Sequence, residues 1–318
     1  MSKKIPVVVV AALMFLTAAV TLIVTVKVYT KEYNKIIGDL PSRAAQYASL
    51  QEADELIRAN YYGEFIGGSL DESIISGLVQ SIGDPECKYF SSGAYKQYLN
   101  QLSVKNKAAS VTYSQTDKIG YVRIAAFLEN TAAEFREALD SFDPAETDGI
   151  VLDLRNVSGG SLEIAVQVID LIVPLATEGN GAIAVTKNAA GETLKIYSAN
   201  ADSVSFPLAV LINSNTSGAA ELMACDLRDF GKARLFGETT AGHATVQEVF
   251  PMSDGSALRL TVCEMFPYLS GSFQDVGVVP DSEVLLSPSD KDALFSATAT
   301  IDDTQYAAAA AYLTKDVV

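Results

Sequence analysis

Three kinds of apolar pattern follow one another along the chain. An uncharged apolar run covers residues 5–26, and two segments with apolar residues at helical spacing follow at 41–63 and 70–83. From Ile119 onward, short apolar or alternating runs are separated by amphipathic segments, which is the pattern of strands alternating with helices. This order predicts a membrane segment, then a helical region, then an α/β core.

The part of the chain after Ile119 predicts a largely parallel sheet with helices packed on it. Continuous apolar runs such as 148–155 and 206–213 are typical of strands that are covered on both faces. The predicted strands are 120–127, 148–155, 182–187, 206–213, 233–238, 245–252 and 257–266, and the predicted helices are 131–142, 161–174 and 218–231. In such folds the functional groups lie in loops beyond the strand ends and at helix N-termini.

Residues 5–26 are long enough to cross a membrane. As a helix rising about 1.5 Å per residue, the run spans roughly 30 Å of hydrocarbon. It is longer than the roughly 7–15 apolar residues of a signal peptide, and it therefore predicts an uncleaved single-pass anchor. Lysines flank both ends of the run, so charge does not fix its orientation. The simpler arrangement is a single-pass protein of the cell membrane. Residues 1–4 then form a short cytoplasmic tail, and the soluble domain lies outside the cytoplasm.

Composition excludes several classes of function. The formal net charge of −16 disfavours binding to nucleic acid phosphates, so no nucleic-acid partner is expected. A single histidine and three scattered cysteines argue against a metal site. Neither GxxxxGK[ST] nor GxGxxG occurs, and no cofactor is expected.

Two glycine-bearing turns, 153–162 and 213–222, each follow a predicted buried strand and open a predicted helix. Such a turn exposes backbone N–H groups that can bind a phosphate, a carboxylate or a developing oxyanion. The alternative is that the glycines serve only to make tight turns.

Several ordered blocks resemble the C-terminal processing peptidases, also called tail-specific proteases, which use a serine–lysine dyad. The blocks are Asp84-Pro85 with Tyr89, the segment 120–139, the segment 149–174 with its Asp-Leu-Arg-Asn and Gly-Gly turn, the segment 231–262, and Gly277 with Pro280-Asp281. The resemblance covers roughly residues 50–285. It implies a ClpP/crotonase-like α/β core with a helical N-terminal region.

The positions that carry the family's chemistry depart from its pattern. The family's serine precedes a glutamate by three residues, and counting back from Glu221 places Gly218 there. The position of the family's lysine is His243, whereas the supporting glutamine is present as Gln247. The resemblance also implies oxyanion donors at Gly159 and Gly160 and at Ala219, and backbone donors survive side-chain changes.

Glycine at the nucleophile position closes the acyl-enzyme route, because it has no hydroxyl to acylate. A shifted dyad of Ser217 and His243, oriented by Gln247, is the alternative, since histidine is a competent general base. Against it, a shift of one residue at a helix start turns a side chain by about 100°. Ser217 is also a natural N-cap, and His243 is then a polar loop residue at the mouth of an unused pocket.

Active relatives carry a PDZ domain between the helical region and the core, and the interval 91–118 is too short for one. The predicted organisation is a tail (1–4), an anchor (5–26), a juxtamembrane helix and linker (27–48), a helical region (49–105), a short link (106–118), a peptidase-like core (119–288) and a C-terminal tail (289–318).

Together these features predict a membrane-anchored pseudoprotease that binds a protein or peptide partner, for example an active protease that it regulates. The first alternative is an active serine-type endopeptidase that uses Ser217 and His243. The second is a structural scaffold that forms a homodimer through its N-terminal helices.

Overall fold

The computed structural model of the chain describes residues 17, 21, 25–27, 40–62, 68–174, 182–199, 206–296 and 301–315. The predicted tail (1–4) and most of the predicted anchor (5–26) and juxtamembrane segment lie outside these residues. Within the described ranges no helix is both long enough and apolar enough to span a bilayer. The chain divides into two units, Met1–Asp71 and Glu72–Val318.

The helices and strands are numbered here in chain order. The helices are α1 (Leu40–Asn60), α2 (Gly68–Gln80), α3 (Ser92–Lys105), α4 (Thr131–Asp140), α5 (Leu162–Asp170), α6 (Ala219–Asp229), α7 (Pro288–Ala293) and α8 (Thr304–Lys315). The strands are β1 (Lys88–Phe90), β2 (Val111–Thr116), β3 (Ile119–Ile124), β4 (Gly149–Asp153), β5 (Ala182–Lys187), β6 (Thr193–Ser198), β7 (Leu208–Ile212), β8 (Ala233–Gly237), β9 (Thr245–Pro251), β10 (Ala257–Phe266) and β11 (Ser282–Glu283).

The first unit contains α1, which the apolar spacing predicts. Pro41 lies in its first turn, where proline is well tolerated because its missing N–H has no helical partner there. Arg58 and Asp54, one turn apart, form an ion pair at 2.8 Å on the surface. The unit boundary falls within α2.

A six-stranded sheet in the order β11-β8-β7-β4-β3-β2 forms the centre of the second unit. Every neighbouring pair is parallel except β2 and β3. All five residues of β4 and all five of β7 are buried, which confirms the prediction from their continuous apolar runs.

Alternating side chains of the central strands enter two separate cores. In β4, Ile150 and Leu152 join a large core with residues of α4, α5 and α6. Val151 joins a second core with Ala309 and Leu313 of α8. Because successive side chains of a strand point to opposite faces, the sheet lies between α4–α6 on one side and α8 on the other.

The other strands form a separate antiparallel sheet, which the sequence did not predict. This second sheet has the order β1-β10-β5-β6, with β9 also paired to β10. β9 and β10 form a long hairpin, with an irregularity between Thr261 and Cys263. The structure is therefore a mixed α/β fold with two sheets.

Three predicted segment types differ from the structure. The link 106–118 contains β2, the helical region 49–105 contains β1, and the C-terminal tail 289–318 contains α7 and α8. β2 is almost wholly exposed, so it lacks the apolar alternation that marks a half-buried strand. α8 is rich in alanine, which favours helices strongly but gives a weak amphipathic pattern.

Candidate active site

The turn between β4 and α5 is shaped by two consecutive glycines with positive φ, Gly159 at 69° and Gly160 at 109°. A Cβ on Gly160 would lie 2.8 Å from Cβ of Phe127, so a side chain there does not fit. Ser161 ends the turn, and its hydroxyl accepts a hydrogen bond from the Ile164 N–H at 3.3 Å, which caps α5. The turn therefore presents backbone rather than side chains.

Gly218 forms a sharp elbow between β7 and α6, with φ 67° and ψ −120°. Only glycine adopts this backbone conformation without strain. Thr216 is buried just before it and donates to the Leu154 carbonyl at 2.9 Å. The Ser217 N–H donates to the Val157 carbonyl at 2.8 Å. These bonds hold the elbow against the turn that follows β4.

The elbow and the Gly-Gly turn are neighbours in space. An ideal Cβ built on Gly218 would lie 3.6 Å from Cα and 3.8 Å from N of Gly159, which are ordinary contact distances. Ala219 is the first residue of α6, where a backbone N–H has no acceptor within its own helix. Gly159, Gly160, Gly218 and Ala219 all line one cavity. The residues predicted as oxyanion donors thus surround the predicted nucleophile position.

Glu221 ties the elbow to the loop that follows β8, a role that the sequence analysis missed. Its side chain is fully buried, and one carboxylate oxygen accepts from the Gly218 N–H at 2.8 Å and from the His243 N–H at 2.9 Å. The other oxygen accepts from the Gly242 N–H at 2.6 Å and from the Thr240 hydroxyl. A buried glutamate is rare unless it has partners. The only signal in the sequence is that Glu221 lies among the apolar residues of the predicted helix 218–231.

Ser217 is not the N-cap of α6, so that prediction is wrong. The N-cap is Gly218, and Glu221 satisfies its N–H, because the elbow turns the backbone one residue later than expected. The Ser217 hydroxyl instead lies 3.1 Å from Nδ1 of His243. His243 is exposed and lines the cavity.

Gln247 does not orient the His243 ring as the shifted-dyad hypothesis requires. Its Nε2 donates to Thr245 Oγ1 at 3.0 Å, within β9. Within the described part of the chain, the only side-chain partner of the imidazole is Ser217. Gln247 still lines the cavity.

The cavity has a volume of about 410 Å³ and reaches beyond the elbow to the helical region. Its walls come from the two turns, β9, β10 and the segment before the core. The lining residues are Glu86, Tyr98, Ser158, Gly159, Gly160, Leu162, Gly218, Ala219, His243, Thr245, Val246, Gln247, Val249, Arg259 and Met265. Among the described residues Ser217 is not part of this lining. Sequence reasoning did not predict the contributions of Tyr98 and Arg259.

A buried ionic network lies at the end of β4, just before the Gly-Gly turn in the chain. Arg155 is 1% exposed and binds Asp153 and Asp303 with both of its terminal nitrogens and Nε, at 2.6–3.1 Å. Burial alone would lower the pKa of Arg155, but the hydrogen bonds to the two carboxylates raise it above its ordinary value. Because Asp303 immediately precedes α8, the network fastens the C-terminal segment to the strand end that carries the turn.

The site geometry suits capture of a peptide carbonyl more than covalent chemistry on it. Gly159 and Ala219, the residues expected to donate backbone N–H groups to an oxyanion, line the same cavity. The elbow position that would carry a nucleophile has no side chain. The remaining titratable groups on the cavity wall are His243 and Tyr98, together with the ion pair of Arg259 and Glu86 at 3.2 Å.

Comparison with known proteins is consistent across sequence and structure. The model of peptidase family S41 matches residues 118–284. Carboxyl-terminal-processing peptidase 2 of Arabidopsis thaliana is 34% identical over 184 residues, covering 57% of this chain and 35% of the relative. Carboxy-terminal processing protease CtpA of Bacillus subtilis is 31% identical over 235 residues, covering 72% of this chain and 48% of the relative. The chain thus spans about half or less of the length of these relatives.

Two solved structures share the fold. The photosystem II D1 C-terminal processing protease superposes with a TM-score of 0.52 at 29% identity, over 58% of this chain and 51% of that one. A lipoprotein from Streptococcus agalactiae superposes with a TM-score of 0.58 at 16% identity, over 80% and 84% of the two chains. The second likeness bears on the fold alone.

Proposed function

The chain belongs to peptidase family S41, and from this premise we propose that it binds a peptide or protein partner in the cavity beside Gly218. The acyl-enzyme route of a serine peptidase is closed to it, so hydrolysis is absent or strongly impaired. The observation that carries the proposal is the elbow: Gly218 has a sharp backbone turn, with φ 67°, at the position that the resemblance assigns to the nucleophile, and it has no side chain.

The expected loss of peptidase activity follows from the chemistry of the serine peptidase reaction. Without a hydroxyl at the elbow no ester can form between chain and substrate. Removing the nucleophile from a serine peptidase lowers kcat by about a million-fold, and binding and oxyanion contacts remain. The cavity and its backbone donors therefore support binding after the chemistry is lost.

The segment in front of the core supports the same proposal. Residues 91–118 hold α3 and β2, and there is no room between them for the PDZ domain that the resemblance leads one to expect. α3 contributes Tyr98 to the cavity wall instead. We propose that partner capture has moved from a separate domain to this wall, in a core of the ClpP/crotonase type.

Membrane anchoring through residues 5–26 is also part of the proposal. Its support is the uncharged apolar run in the sequence, which is of bilayer length. The acidic soluble part then lies outside the cytoplasm, where a partner such as an active protease would meet it. Pairing through the N-terminal helices would bring two such domains together at the membrane.

A second candidate function has one specific observation in its favour. The Ser217 hydroxyl and His243 Nδ1 are 3.1 Å apart, within the range that a nucleophile and its base require. Against this candidate, Ser217 is absent from the lining of the cavity within the described chain, and Gln247 is engaged with Thr245. A nucleophile outside the cavity does not reach a carbonyl held by Gly159 and Ala219.

Binding to an unstructured protein tests the proposal. The probe is fluorescein-labelled casein, and its anisotropy is followed as the purified chain is added. Gln247→Trp places a bulky ring in the cavity and should abolish binding, whereas Glu248→Trp, on the exposed next position of β9, should not. Equal binding by both variants, or none by the unaltered chain, would refute a cavity-based function.

A further inference from the structure

Ser217 contacts Nδ1 of His243, the ring nitrogen through which a histidine base is usually held in place. In serine hydrolases one ring nitrogen is held by an orienting group, usually through Nδ1, while the other exchanges the proton. Here Nδ1 faces the Ser217 hydroxyl at 3.1 Å, and Nε2 makes no hydrogen bond with any described residue. The hydrogen bond at one ring nitrogen determines whether the other ring nitrogen carries a proton. When Nδ1–H donates to Ser217, Nε2 has a free lone pair.

Ser217 itself is fixed outside the reaction space. Its N–H donates to the Val157 carbonyl at 2.8 Å, and it pairs with Ser158 in a parallel bridge. Because the backbone is fixed in this way, a rotation of the side chain alone does not bring Ser217 into the position that Gly218 occupies. Ser217 is thus suited to hold the imidazole.

The space left by the absent side chain at Gly218 is open. A heavy atom at the Cβ position would be 3.6–4.0 Å from its nearest neighbours, which are Cα and N of Gly159 and the carbonyl oxygen of His243. These are ordinary contact distances, so a water-sized atom fits at this position. His243 is exposed and lines the same cavity, so water has access to both.

We infer that His243 is the general base for a water molecule beside Gly218, with Ser217 as its positioning residue. The inference rests on the proposed function, since the cavity must first bind a peptide. The chain then carries a slow peptide hydrolysis by direct attack of water, in which no bond forms between substrate and protein.

The step balances without any co-reactant other than water. The water oxygen attacks the carbonyl carbon while Nε2 of His243 takes one water proton, and the carbonyl π electrons move onto oxygen. The N–H groups of Gly159 and Ala219 stabilise the resulting oxyanion. The C–N bond then breaks, and the imidazolium returns its proton to the departing nitrogen. The products are a carboxylic acid and an amine.

Four variants, assayed for casein cleavage with binding measured in parallel, separate this route from a Ser217 nucleophile. His243→Gln should reduce cleavage to background, a loss of about 100-fold or more for a general base. Ser217→Ala should lower kcat only about 2- to 10-fold, the effect of one hydrogen bond, with KM unchanged. Ser217→Thr, which keeps the hydroxyl, should restore kcat. Gly218→Ala should fill the water position and abolish cleavage while casein still binds.

Gly231→Ala is the control for a side chain at positive φ. Gly231 has φ 65°, close to the φ of Gly218, and a Cβ there meets open space. This variant should cleave like the unaltered chain. A loss of cleavage in Gly218→Ala is assigned to the filled space when that variant still binds casein and melts at the same temperature as Gly231→Ala.

The outcomes are distinct. Partial loss in Ser217→Ala with full loss in His243→Gln and Gly218→Ala supports the inference. Full loss in Ser217→Ala, or no cleavage by the unaltered chain above His243→Gln, overturns it. If casein binds but is not cleaved, only the inference fails. If casein does not bind, the proposed function fails as well.

Discussion

The N–H of His243 donates to Glu221 at 2.9 Å, and the same carboxylate oxygen accepts the N–H of Gly218. A single buried side chain thereby fixes the distance between the elbow and the histidine loop. The relative placement of Gly218 and His243 is therefore built into the fold.

Glu221→Gln should loosen both segments together. The amide has one acceptor oxygen in place of two, and its NH₂ group would face backbone donors. Breaking a buried, charged hydrogen-bond network of this kind costs about 2–4 kcal/mol. We expect the melting temperature to fall by roughly 5–15 °C. Calorimetry measures the melting temperature, and Glu137→Gln, at an exposed position, is the control. An unchanged melting temperature in Glu221→Gln would show that Glu221 does not hold the two segments together.

Asp226 gives a pH-dependent prediction. It is fully buried in α6, and burial raises the pKa of its carboxyl well above the ordinary value. One oxygen accepts from the Tyr268 N–H at 2.8 Å, and the other has no hydrogen-bond partner among the described residues. A raised folded-state pKa contributes stability that is complete below the unfolded pKa and is lost as pH rises through the folded one.

Asp226→Asn should therefore stabilise the chain near neutral pH, because the amide needs no proton to be neutral. The gain should shrink as pH falls and vanish well below the unfolded pKa of about 3.9, where the carboxyl is protonated in both states. Urea unfolding at several pH values measures it, and the exposed Asp140→Asn is the control. A variant less stable than the unaltered chain at neutral pH would show that the buried charge is compensated.

Asp303 should anchor the C-terminal helix through Arg155. The two carboxylate oxygens accept from Arg155 at 2.9 and 2.8 Å. Asp303→Ala leaves a buried guanidinium with fewer acceptors and should cost about 1.5–3 kcal/mol. Amide exchange in α8 should accelerate, while Asp302→Ala, at the exposed neighbouring position, should leave it unchanged. Equal exchange in both variants would mean that apolar packing of Ala309 and Leu313 alone holds the helix.

The central strands could be predicted from the sequence because burial on both faces leaves a continuous apolar run, as in β4 and β7. β6 could not, because five of its six residues are exposed. The second sheet depends on long-range pairing, such as that of β1 with β10. Nothing in the local pattern of residues 88–90 encodes that partner.

The sequence indicated which residues lie at the candidate site, but not the hydrogen bonds that those residues make. Counting from Glu221 placed Gly218 and His243, and the structure brings both to one cavity with Gly159, Gly160 and Ala219. The function of Glu221 could not be inferred, because three of its four donors come from residues 240–243, on a distant loop. The turn of the backbone at Gly218, which displaces Ser217 from the N-cap, also becomes visible only in three dimensions.

We propose that no acyl-enzyme forms on this chain, because the elbow carries Gly218. The test is labelling with a fluorophosphonate, which reacts with activated serine hydroxyls, followed by intact-mass measurement. We expect no adduct on the unaltered chain and one adduct per chain on the double variant Gly218→Ser, His243→Lys, at the new elbow hydroxyl. An adduct on the unaltered chain that Ser217→Ala removes would instead make Ser217 the nucleophile.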